Sequence, residues 1–467
     1  MADTTHGQSI NIKDAIIENI IKMIFSGILN RGDFLPSIRN MCARYHVSRN
    51  TVVVAYKDLE SLGLIEGKER SCYQVLSAPR SASTNLLKEI RRPSARPLEK
   101  KQANLTHIAT KLMMNNQASL SRHFIKRWSS DLYSVKKVLA EENGSEQLNQ
   151  ELQKNLHRYL KITRGIDLAL DKMLLLPGQQ EALLMIAHFG KLLKSRPTII
   201  LGDPVSPKVF DLFACLGYEI LSVPSDRNGL DVSAFPDRCV DFVYLSPSCH
   251  FPSGAKMSEH NRKLLMEWSS QNDNAFIIED DACFMLGFGQ DMIPPLCASY
   301  PARNVIYLYN LFELTGNSAS LSLLMAPESI RDKFRELKNL TISENQILNR
   351  TMLASFLGSN YLMKYLASTL QQRQEKFNLA LEGLKKVTPD PDVWGLIHSG
   401  FFTFSAAEES LPATLREETF LPLSLFYRSS AAQPDSSRYI YPLGTLTAEE
   451  IENINRQLLL HNPALQD

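Results

Sequence analysis

Five short apolar runs, PTIILGD, YEILSVP, DFVYLSP, AFIIEDD and VIYLYN, recur between positions 197 and 310. Runs of this length bounded by Gly, Pro and Asp read as strands buried on both faces. Helical stretches separate several of them. SEHNRKLLMEWSSQ, for example, opens at Ser258, a residue suited to cap a helix N-terminus. Strands that alternate with helices bury their apolar faces most economically as a mostly parallel sheet covered by helices. A long helical region spans roughly 355 to 386. Two further strands, GLIHSGFFTFS and RYIYPLG, then lead to a last helix whose start, Thr447 with Glu450, has the reciprocal spacing of a capping box. That tail reads as a smaller α+β lobe.

At 467 residues and 44% hydrophobic composition the chain supports a large core plus a smaller module. Its longest apolar runs fall short of the roughly 18 residues that a membrane helix needs, and MADTTHGQSI lacks a signal-peptide pattern, so the expected location is cytosolic. Seven cysteines without a CxxC pair give neither a disulfide framework nor a zinc site and read as reduced thiols. Basic and acidic side chains, 51 and 50, nearly cancel, so bulk charge does not point to nucleic acid. Residues 79–104 differ, with seven basic against two acidic side chains punctuated by Pro and Ser, the composition of an interdomain linker.

Ahead of the linker, NIKDAIIENIIKMIFSGIL carries an apolar helical stripe through Ile16, Ile20 and Ile21. Pro36 and Ser37 then open the short helix IRNMCARY. After the turn HVS, Ser48 caps a second helix, with Val47 and Val52 as its hydrophobic staple. On that helix Val52, Ala55, Tyr56, Leu59 and Leu62 share the inward face, leaving Arg49, Asn50, Val53 and Lys57 outward. LGLIEGKERSCYQVL supplies two short strands. Two helices, a tight turn and a hairpin are what a helix-turn-helix with a wing requires, the second helix being placed to meet base edges.

FLPSIRNMCARYHVSRNTVVVAYKDLESLGLI resembles the winged helix-turn-helix of the GntR regulators through LPS-x-R, VSRNTV and the closing L-x-x-x-G. The resemblance implies double-stranded DNA as partner and puts Arg39, Ser48, Arg49, Asn50 and Thr51 at DNA-facing positions. The wing tip, GKERSCYQV, departs from the glycine-rich family pattern, so Lys68 and Arg70 would reach phosphates there. The remainder resembles fold type I aminotransferases, through YLKITRGI, PGQQEAL, NGLDVSAF, LSPSCHFPSGAKMS and FIIEDDACF. The pairing is that of the MocR branch of the GntR family. It implies a winged helix-turn-helix at 1–78, a linker at 79–104 and an aminotransferase-like regulatory and dimerisation domain at 105–467.

In that family the strand after the acidic run leads to a lysine that anchors pyridoxal phosphate covalently. Laid without gaps on VIYLYNLFELTGNSASLSLLMAP, the lysine position falls on Glu313. A carboxylate is no amine nucleophile, so the anchoring chemistry is absent. Other family groups are replaced as well: the serine before the lysine by Phe312, the phosphate-binding arginine by Ser320, the ring-flanking aromatic by Ser206, the tyrosine after the acidic run by Ala282, and the substrate-carboxylate arginine by Ile440, with Arg438 nearby. Asp280, which would pair with the pyridine nitrogen, survives as a vestigial site residue. Gln179 and Gln180 stand where the family's phosphate loop begins. His250 with Cys249 and Cys283 fits no metal-ligand spacing and reads as structural.

These readings give a cytoplasmic, bacterial DNA-binding regulator, nucleoid-associated when bound to DNA, homodimeric, with a possible small-molecule effector. No enzyme activity and no cofactor are expected. A regulator that binds pyridoxal phosphate noncovalently, and an active transaminase, are the alternatives.

Overall fold

The computed structural model describes residues 12–25, 28–61, 63–68, 72–76, 144–167, 170–281, 294–300, 304–311, 321–342, 347–359, 361–395, 400–429 and 437–461. The linker, Arg70, Ala282, Cys283, Phe312, Glu313 and Ser320 lie outside the described residues. The chain divides into two compact units, Met1–Arg96 and Pro97–Asp467.

The first unit contains α1 (Ile12–Phe25), α2 (Ile38–Tyr45), α3 (Arg49–Ser61) and an antiparallel hairpin of β1 (Ile65–Lys68) and β2 (Cys72–Val75). Its core joins Ile16, Ile20 and Ile24 of α1 to Val52, Ala55, Tyr56 and Leu59 of α3. The buried stripe of α1 thus runs at i, i+4, i+8 through Ile24, with Ile21 at its margin rather than at its centre. Ser37 caps α2 by accepting from Asn40 N at 3.2 Å.

The second unit opens with α4 (Gly144–Arg164), β3 (Met173–Leu176), α5 (Gln179–Leu193), β4 (Thr198–Asp203), α6 (Pro207–Cys215), β5 (Glu219–Asp226), β6 (Gly229–Leu230) and β7 (Phe242–Leu245). It continues through α7 (Glu259–Gln271), β8 (Phe276–Asp280), α8 (Leu296–Ser299), β9 (Val305–Asn310), β10 (Ser322–Met325), α9 (Glu328–Thr341), α10 (Ile347–Leu357) and α11 (Tyr361–Lys385). The eight strands lie in the order β3-β10-β9-β8-β7-β4-β5-β6. The five expected runs form the parallel centre, β5 to β4 to β7 to β8 to β9, and β3, β10 and β6 add antiparallel margins.

Alternation along each strand sends side chains to opposite faces. Ile306 and Leu308 of β9 pack with α5 and α9, whereas Tyr307 and Tyr309 pack with α4, α10 and α11. The long helical region expected over 355–386 is two helices, α10 and α11, separated around Gly358. A Cβ on Gly358 would lie 2.9 Å from Asn155 Nδ2, and that amide uses the space to donate to Ala354 O at 3.0 Å.

The small lobe holds β11 (Phe402–Ser405), α12 (Ala413–Glu418), β12 (Leu421–Pro422), β13 (Arg438–Tyr441) and α13 (Ala448–His461), with the three strands ordered β11-β13-β12. Phe402, Phe404, Tyr439 and Tyr441 build its core against α11 and α13. The capping box of α13 is formed: Thr447 N donates to Glu450 Oε2 at 2.6 Å and Glu450 N to Thr447 Oγ1 at 3.2 Å. Among the described residues no helix is long and apolar enough to cross a membrane.

Candidate functional sites

In the N-terminal unit the turn between α2 and α3 passes through His46 in the left-handed region, at φ 52°. Ser48 then caps α3: Thr51 N donates to its Oγ at 3.3 Å, and the two hydroxyls lie 2.9 Å apart. Arg49 and Asn50 are exposed in the first turn, and Arg39 is exposed on α2. Of the expected DNA-facing residues, Ser48 and Thr51 are therefore tied to each other, while Arg49, Asn50 and Arg39 present their side chains to solvent. Lys68 on the wing pairs with Glu66 at 2.7 Å. Its charge is partly compensated before any phosphate approaches.

Four contacts that local sequence patterns do not reveal hold this surface in place. Buried Tyr56 donates to Pro36 O at 2.7 Å and meets Tyr73 edge-on at 4.9 Å. Burial, followed by the neighbouring Tyr45 and Tyr73, raises its phenol well above the usual range. Glu60 Oε1 accepts from Gly67 N at 2.9 Å, tethering the wing to α3. Lys13 bridges from α1 to Asp58 of α3 at 2.9 Å.

In the body, the acidic run at the end of β8 separates its carboxylates by the alternation of the strand. Asp280 faces α5: its Oδ2 accepts from Tyr244 OH of β7 and from Gln179 Nε2 at the first residue of α5, each at 2.6 Å. Glu279 and Asp281 point the other way. Asp281 takes a two-pronged grip from Arg164, the last residue of α4, and also accepts from Tyr307 OH at 2.7 Å. Arg164 Nη2 donates in addition to Ser248 Oγ at 2.9 Å. Burial depresses the guanidinium, and the adjoining Asp281 more than reverses this, raising it overall. Glu279 accepts from Leu296 N at 2.7 Å and Cys297 N at 3.0 Å. Burial, with Asp281 nearby, pushes its carboxyl up to about 7.

Gln179, expected at the phosphate loop, reaches Asp280 instead, and Gln180 is exposed. Ser206 precedes α6 without a side-chain capping bond. Ile440 is fully buried among Cys249, Phe401, Leu421, Leu423 and Phe426, so its position offers no cation. Arg438 is committed elsewhere: it donates to Asp392 O at 2.9 Å, pairs with Asp392 Oδ2 at 2.5 Å and stacks 3.5 Å over Trp394. His250 is buried with Nε2 2.9 Å from Pro204 O, and burial lowers its imidazole below the ordinary value. Cys249 is buried too, and no metal-ligating cluster occurs among the described residues.

Asp280 tests whether a pyridoxal-type ring fits. A buried carboxylate fixed by two donors is suited to a protonated ring nitrogen, and α5 begins beside it with its free backbone N–H groups, a favourable end for a phosphate. The ring-nitrogen end of the site fits.

Residues 12–75 match the model of the bacterial regulatory proteins, gntR family. The HTH-type transcriptional regulator YisV of Bacillus subtilis is 25% identical over 407 residues, 82% of this chain and 81% of that one. The HTH-type pyridoxine biosynthesis transcriptional regulator PdxR of Corynebacterium glutamicum is 24% identical, covering 76% of this chain and 74% of its own. The probable rhizopine catabolism regulatory protein MocR of Rhizobium meliloti is 22% identical, covering 75% and 72%.

Among solved structures, an archaeal alanine:glyoxylate aminotransferase superposes with a TM-score of 0.64 at 22% identity, over 78% of this chain and 96% of that one. A Pyrococcus horikoshii kynurenine aminotransferase in complex with PMP gives 0.62 at 16% identity, over 82% and 98%. The chain is thus a DNA-binding transcription regulator, with a gntR helix-turn-helix at residues 12–75 and a body of the aminotransferase fold, and it is similar to the PdxR and MocR regulators. One expectation needs correction. A body with the fold of enzymes that hold this cofactor, and a relative named for pyridoxine biosynthesis, conflict with the absence of any cofactor.

Proposed function

We propose that this regulator reads DNA as a homodimer and that its body binds a pyridoxal-phosphate-type ligand noncovalently, as an effector, without catalysing transamination. Asp280 carries the reading: it is 2% exposed and held by Tyr244 and Gln179 at the end of a parallel strand. Glu313 occupies the gap-free position of the anchoring lysine. When bound, such a ligand supplies an electrophilic carbonyl and an anionic phosphate on one aromatic ring. Asp280 would accept the ring N–H, and the first turn of α5 would face the phosphate. Without an amine at position 313 the carbonyl meets no nucleophile there.

In the DNA-binding module, 1–78, Arg49, Asn50 and Arg39 contact bases or adjacent phosphates, Ser48 and Thr51 shape the first turn, and Lys68 and Arg70 reach phosphates from the wing. The linker, 79–104, joins it to the body, 105–467. A two-fold dimer calls for paired half-sites in the operator, and the protein acts in the cytoplasm at the nucleoid.

The test is a titration of the full chain with pyridoxal phosphate. The expected result is a saturable rise in melting temperature, no covalent adduct after borohydride reduction, and loss of the rise in Asp280→Asn. Failure of the wild type to respond overturns the ligand assignment. A stoichiometric adduct with turnover of an amino acid overturns the noncatalytic one.

A further inference from the structure

Over its first five residues, Glu219 to Val223, β5 is paired with a described strand along one edge only. Thr198 to Asp203 of β4 run parallel to Glu219 to Pro224, and on the far side β6 covers no more than Ser225 and Asp226. Glu219 N donates to Pro197 O at 2.8 Å, so in the alternation of a parallel ladder residues 219, 221 and 223 bond towards β4. The N–H and C=O of Ile220 and Ser222 point outward and meet no other described backbone group. Pro224, next outward, already gives its carbonyl to Asp231 N at 2.9 Å. The open edge therefore spans the four groups of two residues and ends where β6 begins.

A groove of about 550 Å³ follows this edge, bounded by Ile220 and Leu221 on the strand, Pro236 and Phe210 on its flanks, and Arg428. Natural sheets blunt an exposed edge with a charge, a proline or a bulge directed along it. Ile220 and Leu221 are half-buried and apolar, and neither they nor Ser222 carries a charge.

The cations stand around the edge instead. Arg428 is held in place through its backbone: buried Asp203 accepts from Arg428 N at 2.9 Å and Ser429 N at 2.8 Å. Its guanidinium projects over the Phe210 ring at 5.8 Å and has no carboxylate partner among the described residues. At the start of the strand Arg238 pairs with Glu219 at 2.7 Å and Lys194 with Asp241 at 3.2 Å, and Arg196 and Lys194 lie close enough that, after Arg238, they too hold the Glu219 carboxyl below its usual range.

We propose that this edge is a docking site for an extended acidic segment of a partner protein, which adds as a strand to β5 through Ile220 and Ser222 and places a carboxylate on Arg428. Strand addition explains why an apolar groove lies beside unpaired backbone, and Arg428 on the groove favours acidic over basic occupants. The site is independent of DNA and of any ligand at Asp280.

The experiment uses the full chain and a synthetic blocked heptapeptide alternating glutamate and valine, with a lysine–valine peptide as control. Binding is followed by calorimetry and by amide hydrogen exchange. The expected result is that the Ile220 and Ser222 amides exchange readily in the protein alone and are protected by the glutamate peptide. Arg428→Gln should weaken binding about three- to fivefold, an effect that fades at high salt. Ser222→Pro removes one outward N–H without touching the β4 ladder and should abolish protection at Ile220. Equal binding of the lysine peptide, or binding without protection of these two amides, overturns the proposal. So does protection of both amides in the protein alone, which would mean that the chain itself or a second copy already covers the edge.

Discussion

Arg164 meets Asp281 through two parallel hydrogen bonds, Nε to Oδ2 at 2.7 Å and Nη2 to Oδ1 at 3.0 Å, with both side chains shut away from solvent. The pair links the end of α4 to the residue following β8, one position beyond Asp280. Removing one partner leaves a buried charge uncompensated, so Arg164→Met should destabilise the body by about 3 to 5 kcal/mol. Urea unfolding of the full chain measures this. Combining it with Asp281→Leu should recover much of the loss, and an additive double mutant would show that the pair is not coupled.

Glu279 gives a pH signature with a definite sign. Its folded carboxyl is pushed up to about 7, whereas an unfolded glutamate titrates near 4.3. The folded state therefore keeps the proton longer. This contribution to stability is complete below about pH 4.3 and is lost as pH rises through 7. Buried His250 works oppositely: its imidazole is lowered, so its contribution is lost as pH falls below the ordinary histidine value. The measurement is therefore a difference, wild type minus Glu279→Gln, between pH 5 and 8. The difference should decline with pH, and a flat one would refute the assignment.

Tyr244 donates its hydroxyl to the buried Asp280 carboxylate at 2.6 Å. Tyr244→Phe should cost about 1.5 to 3 kcal/mol, the worth of a hydrogen bond to a charged group. It should also weaken any pyridoxal phosphate response, because Asp280 would lose a donor that helps to fix it. Stability loss without a change in ligand response would confine Tyr244 to a packing role.

What could be read from the sequence was what is local. The five strands, the Ser37, Ser48 and Ser258 caps and the Thr447–Glu450 box each rest on residues within a few positions of one another, and all are present. Arg164 and Asp281 are 117 residues apart, and nothing in YLKITRGI states which acid it serves. A partial signal existed: three consecutive acids ending an apolar strand cannot all be buried without a cation or backbone donors. The partner of Gln179 was hidden for a similar reason. Its helix position was legible, but its side chain turns towards Asp280, a contact decided by the sheet order.

On the DNA-binding module, Arg49→Ala should weaken operator binding by about 1 to 3 kcal/mol if Arg49 reads a base. Glu66 offers a sharper test of the wing. Because it pairs with Lys68 at 2.7 Å, Glu66→Gln frees a cation and should tighten binding, steepening the salt dependence by about one phosphate contact. Titrations over a salt series on the selected operator would decide. An unchanged slope would place Lys68 away from the phosphates.

Glu313→Lys tests the proposed absence of a covalent anchor separately from the rest of the site. The substitution restores an amine at the position the family alignment requires, and borohydride reduction of the variant with pyridoxal phosphate should then retain adduct that the wild type does not. Efficient transamination should still be absent. The family resemblance would put the substrate-carboxylate clamp at Ile440, which is buried, the nearby Arg438 is locked to Asp392 and Trp394, and Ser206, at the position the resemblance gives to a ring-flanking aromatic, has no ring. Orientation of this kind supplies a large share of the rate in such reactions. Mass spectrometry of the reduced variant and an amino-acid turnover assay give the two readouts. Vigorous turnover in Glu313→Lys would mean that the lysine was the only group lost, and would place the wild type one substitution away from an enzyme.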